Sequence, residues 1–94
     1  MQIYEPQANI IEDMLHALRV KPSNHAADEV TDLIMAAAAD LQGQGVEKID
    51  FNDPLTKQAV KLYCKAHYGY DSNSEKYLEA YQALSMSMAL LSDY

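Results

Sequence analysis

Few side chains in this sequence could do chemistry. Cys64 and His67 stand at i and i+3, a spacing that brings both to one side of a helix, where both could touch a single metal ion. Structural zinc needs four ligands in paired clusters, and His16 and His25 fall in unrelated segments, so the pair reads as a small side chain on a helix flank beside a surface imidazole. Lys61 and Lys65 could lower the Cys64 pKa, yet neither a cradle for an oxyanion nor an acid to orient a base accompanies them. A phosphate-binding glycine loop and a zinc-protease His-Glu pair are both missing from the sequence. Asp28 and Asp32 are one helical turn apart, which is the pattern of a solvated face. The expectation is therefore no catalytic residue, no metal and no cofactor.

Any site must be positioned by elements that the punctuation defines. Three glycines and three prolines in 94 residues are too few turns for an all-β fold, and they fall between stretches of helical period. The first stretch places Ile10, Ile11, Met14, Leu15 and Leu18 on one face, with Asn9 and Glu12 as a capping pair. Pro22 breaks it, and Ser23 or Asn24 caps the second, which aligns Ala26, Val30, Leu33, Ile34, Ala37 and Leu41. Gly43 is expected to take the left-handed cap position, and Val46 to Phe51 reads as a loop whose Ile49 and Phe51 plug the core. Asn52-Asp53-Pro54 starts the third helix, expected to bury Leu55, Ala59, Leu62, Tyr63 and Ala66 and to stop at Gly69. Ser72-x-x-Glu75 is a capping signal for a fourth helix running toward the C-terminus. The predicted architecture is all-α: one domain over residues 1–94, a small bundle of about four helices with short connections.

Composition narrows the function classes. Seven basic against fourteen acidic residues gives a net charge of −7, a poor basis for neutralising nucleic-acid phosphates. A single cysteine excludes an internal disulfide and fits a reducing compartment. A secretory leader and an apolar run of membrane-spanning length are both absent from the sequence, so the expectation is a protein without membrane contact.

Two surfaces stand out. Lys57, Lys61 and Lys65 repeat at i+4 with Tyr68 beside them, which concentrates three of the seven basic residues in one stripe. Asp28 and Asp32, with Glu29 nearby, offer a complementary acidic face on the second helix. One copy could set its basic stripe on another's acidic one, head to tail. The second surface is the final helix, uncharged over thirteen residues from Ala80 to Ser92. Tyr77, Tyr81, Leu84, Met88 and Leu91 form one stripe, and Ala80, Ala83, Ser87, Leu90 and Tyr94 an adjacent one. Together they cover about 180°, more than one contact needs. The first stripe is expected in the home core and the second, with Ala83, Leu90 and Tyr94, against a partner.

The order of these features resembles a known family. It runs from Leu15-His16-Ala17-Leu18-Arg19-Val20 through Ala36-Ala37-Ala38-Ala39 to Asp53-Pro54-Leu55-x-x-Gln58-Ala59-Val60-x-Leu62-Tyr63. Then follow Tyr68-Gly69-Tyr70-Asp71 and Tyr77-Leu78-x-Ala80-Tyr81-x-Ala83-Leu84. The pattern is similar to the head–tail connector, or head-completion adaptor, proteins of tailed bacteriophages. The resemblance implies a non-enzymatic virion protein, made in the bacterial host cytoplasm, that forms a homo-oligomeric ring below the portal protein. Such a ring extends the DNA channel after packaging and docks the tail or a stopper protein. The break from Val20 to Asn24 carries fewer acids than is common in that family. The end at Tyr94 leaves a portal-directed tail to come from the N-terminus, if from either end. DNA would pass without specific binding, since an acidic wall repels phosphate. The alternative from another class is a small acidic regulatory or inhibitory module that imitates the charge of DNA.

Overall fold

Capping chemistry decides where the helices begin. The computed structural model describes residues 8–68, 72–91 and 94. Its four helices are α1 (Ala8–Ala17), α2 (Asn24–Gly43), α3 (Pro54–His67) and α4 (Ser74–Leu90). The fold is an all-α bundle, as the sequence predicts, and loop structure spans Val46 to Phe51. Ser23, rather than Asn24, caps α2: its hydroxyl accepts from the Ala26 amide at 3.0 Å. Asp53 caps α3, with Pro54 in the first turn where a missing amide hydrogen goes unnoticed. At α1 the expected capping pair is not used. Asn9 lies inside the first turn, and its side-chain oxygen accepts from the adjacent Ile10 amide at 2.9 Å. The Ser72 signal also fails. Asn73 holds the cap position of α4, and its side chain makes no capping bond to the first turn. The expected stop at Gly69 lies outside the described residues, and α3 closes at its cap residue Tyr68, whose amide donates to the Cys64 carbonyl at 2.8 Å.

α1 and α2 end alike. At the end of α2 the Val46 amide donates to the Leu41 carbonyl at 3.0 Å and the Gly45 amide to Gln42 at 3.1 Å. This double bond pattern needs a left-handed residue one past the cap. That residue is Gly45, at φ +110, and not Gly43, which is the last residue of the helix. Val46 and Leu41 are both fully buried and supply the apolar contact that accompanies such an ending. At the end of α1, Val20 donates to Leu15 at 3.0 Å and Arg19 to His16 at 3.0 Å. Arg19 takes the left-handed position at φ 57 without the help of glycine.

The core has two clusters joined through α3. The first gathers Ile10, Met14 and Leu15 of α1, Ala26, Val30, Ile34 and Ala37 of α2, and Val60 and Cys64 of α3, with Phe51 against it. The second holds Leu41, Val46, Ala59, Tyr81 and Met88, with Ile49, Leu62, Leu84 and Ala89 against it. α3 is the element that packs on each of the others.

Both later helices are rotated from their expected setting. α3 buries Thr56, Ala59, Val60 and Cys64, whereas Leu55 is exposed and Leu62, Tyr63 and Ala66 are half-buried. The cap explains the turn. Asp53 Oδ2 accepts from the Thr56 amide at 3.0 Å and from its hydroxyl at 3.2 Å, which satisfies Thr56 so that it can face inward, with positions 60 and 64 following at i+4. On α4 the buried face is Tyr81, Ser85 and Met88; two of these belong to the expected stripe, and the face is centred about 45° round from it at ~100° per residue. Leu91 is thereby exposed.

The two turn glycines should respond oppositely to alanine. Gly43→Ala, in a helical turn with nothing within 4 Å of the added carbon, should raise stability by about 0.5–1 kcal/mol. Gly45→Ala meets only Ala89 at an ordinary 3.6 Å, so its cost is the left-handed backbone, about 1–2 kcal/mol. Urea melts of the two variants check the pair, and equal signs would contradict the placement of the turn.

Candidate assembly surfaces

The residues that looked chemically capable are held apart or buried. Cys64 is fully buried in the first cluster, not on a helix flank as expected, because the rotation of α3 turns it inward. Burial pushes its thiol up to about 12, the opposite of what a nucleophile needs. His67 is exposed, and its ring lies 4.3 Å from that of Tyr63. Among the described residues, no group of three or more His, Cys, Asp or Glu is placed to hold a metal ion. Also among the described residues, no helix is long and apolar enough to cross a membrane.

The lysine stripe is less open than its spacing implies. Lys57 reaches Asp13 of α1 at 3.4 Å, and Lys65 lies 5.4 Å from the centre of the Tyr77 ring, so both have partners in their own chain. Lys61 has none among the described residues and borders a hollow between α1 and α3 lined also by Asp13, Met14, His16, Ala17 and Lys57. Asp28, Glu29 and Asp32 are exposed on α2 as expected of a solvated acidic face. Glu29 and Asp32 further border a cleft whose other walls are Leu33, His67 and Tyr68. Tyr68 is half-buried and packs against the first cluster, so it belongs to this acidic cleft and the core more than to the lysine stripe.

α4 divides its faces through a polar network. The Tyr81 hydroxyl donates to Asp40 Oδ2 at 2.5 Å, and the Gln44 amide donates to the same oxygen at 2.7 Å. Ser85 donates to Gln44 Oε1 at 2.7 Å and to the Gln82 carbonyl at 3.0 Å. Burial and the Asp40 carboxylate raise the Tyr81 pKa, and burial followed by the charge of Asp40 raises that of Tyr63. The network seats α4 on the C-terminal end of α2. On the other side Ala80, Ala83, Ser87 and Leu90 are exposed, with Leu90 at 87% and Met86 at 64%. Tyr94, assigned with them from the sequence, departs. It packs on the second cluster, and its hydroxyl donates to Asp53 Oδ2 at 2.7 Å. Ser85 escaped the sequence reading because it is polar. Only the position of Gln44 identifies it as a core residue.

The outward features of this helical bundle are thus an acidic face on α2, lysines on α3 and an uncharged side of α4. The family model described as phage connector protein matches residues 10–94. The chain belongs to the phage connector family, as its resemblance implied. Its role is structural, in association with other phage head or tail proteins, as a component of the virion. No curated protein and no solved structure matches it.

Three outcomes check the chemistry of these residues. A thiol reagent at pH 8 should leave Cys64 unlabelled in the native protein and label it fully in denaturant, and fast native labelling would contradict its burial. The carboxyl of Asp53 is held below its ordinary 3.8, first by the Thr56 amide and then by the Tyr94 hydroxyl. The ionised group therefore stabilises the fold above 3.8, and that contribution is lost as pH falls through the lower folded value. Asp53→Ala should cost about 1 kcal/mol at neutral pH, with the gap to the parent chain narrowing in acid. Tyr94→Phe should move the Asp53 titration upward in carboxyl NMR.

Proposed function

We propose that this connector assembles as a homo-oligomeric ring below the portal, extends the DNA channel after packaging, and offers a docking surface to the tail or a stopper protein. The observation that carries this reading is the outer face of α4. Exposed Ala80, Ala83, Met86, Ser87 and Leu90 form a side without charge on a protein whose net charge is −7. An apolar patch that the fold itself leaves uncovered fits a partner contact. The inner face of the same helix is already occupied by the second cluster. Ala83 and Leu90 are assigned to that contact. The basic residues Lys57, Lys61 and Lys65 and the acidic Asp28 and Asp32 are assigned to contacts between copies. DNA slides past an acidic wall that does not hold phosphate, and no enzymatic step is involved.

Separating the faces of α4 tests the reading. Met88 is fully buried, so Met88→Ala should cost about 2–5 kcal/mol of folding stability. Leu90→Glu and Ala83→Glu should stay within about 0.5 kcal/mol of the parent while abolishing assembly, because a charge would be buried unpaired at the contact. Melting curves and solution mass at several concentrations give both readouts. Unfolding by Leu90→Glu would return this face to the core. A parent chain that stays monomeric would favour an acidic regulatory module instead.

A further inference from the structure

Among the described residues, two hollows of opposite character both touch α3. One, between α1 and α3, is bordered by Lys57 and Lys61 with His16 and Asp13 at its edge. The other, where α2 meets the end of α3, is bordered by Glu29 and Asp32, with Tyr68 and Leu33 as walls. They are roughly 13 Å apart along α3, at 1.5 Å per residue from the position of Lys57 and Lys61 to that of His67 and Tyr68. Among the described residues of one chain, no ion pair joins a lysine of the first to a carboxylate of the second. A second copy could supply that pairing.

The three lysines are not equal candidates for such a contact. Lys57 is engaged by Asp13 at 3.4 Å, and Lys65 stands over Tyr77. Lys61 alone of the three has no partner among the described residues, and it is half-buried, a setting in which a lysine covers its stem and keeps its ammonium in water. The acidic cleft has what an ammonium group requires. Two carboxylates three residues apart on α2 have no partner among the described residues, and the aromatic Tyr68 and the His67 ring stand beside the apolar Leu33. We infer that Lys61 of one copy inserts into the Glu29–Asp32–Tyr68 cleft of the next copy, making a head-to-tail contact. Asp28, exposed beside the cleft, adds long-range attraction without touching the lysine. The donor and receiving surfaces differ, so the contact repeats from copy to copy instead of ending at a pair. The inference rests on the ring reading above and names the residues that would set its register.

Sedimentation of the full chain at low salt tests it, with Lys48→Glu as the control. Lys48 is exposed and borders neither hollow, so its reversal changes net charge equally. Lys61→Glu should weaken self-association at least about fivefold beyond the control, with an unchanged melting temperature. The difference should shrink above roughly 0.5 M salt. The double variant Lys61→Glu with Asp32→Lys should recover most of the loss. A parent chain that assembles while Lys61→Glu behaves like Lys48→Glu overturns this contact and leaves the ring reading standing. Association that stops at two copies overturns the head-to-tail arrangement. A parent chain that is monomeric throughout overturns both.

Discussion

The hydrogen bond from Tyr81 to Asp40 fixes how α4 meets the rest of the molecule. α4 has no strong apolar stripe to choose its own rotation, since apolar and small residues surround it almost evenly after Ala80. A buried tyrosine must find an acceptor for its hydroxyl or lose the free energy of an unmade bond, about 1–3 kcal/mol. Asp40 is that acceptor, and Gln44 and Ser85 extend the arrangement by one more turn. With those three positions fixed, Met88 falls into the core and Leu90 falls outside it. Polar pairing thus selects the setting that apolar periodicity left undecided, and the surface offered to partners is what remains.

Where the sequence was legible, a local physical rule acted alone. Asp53-Pro54 begins α3 because the cap and the proline need nothing from the rest of the fold. The core of α2 could be read from Ala26 to Leu41 because its apolar positions are narrow and regular. Legibility failed where satisfaction was shared between distant residues. Thr56 and Ser85 are buried because Asp53 and Gln44 wait for them, and a pattern that counts polar residues as outward misses both. Gly45 was passed over for Gly43 because the decisive pairing, Val46 with Leu41, lies beyond the glycines themselves. Tyr94 was placed outward by helical extrapolation past the point where α4 ends at Leu90.

The candidate surfaces divide the same way. The spacing of Lys57, Lys61 and Lys65 was plain, yet their inequality was not, because Asp13 lies 44 positions from Lys57 in the sequence. The clefts were invisible for a similar reason: each is made by side chains of two helices. Membership in the phage connector family accounts for why surfaces, and not a reactive pocket, hold the informative residues. A structural component is specified by what its exposed faces match.

The division of the core into two clusters also shapes how the chain loosens. α1 contributes only to the first cluster, while α4 contributes to the second. α3 is the shared wall between them. Lifting α1 would cost contacts of the first cluster alone, whereas the Tyr81–Asp40 bond lies in the part of the fold that α1 does not touch.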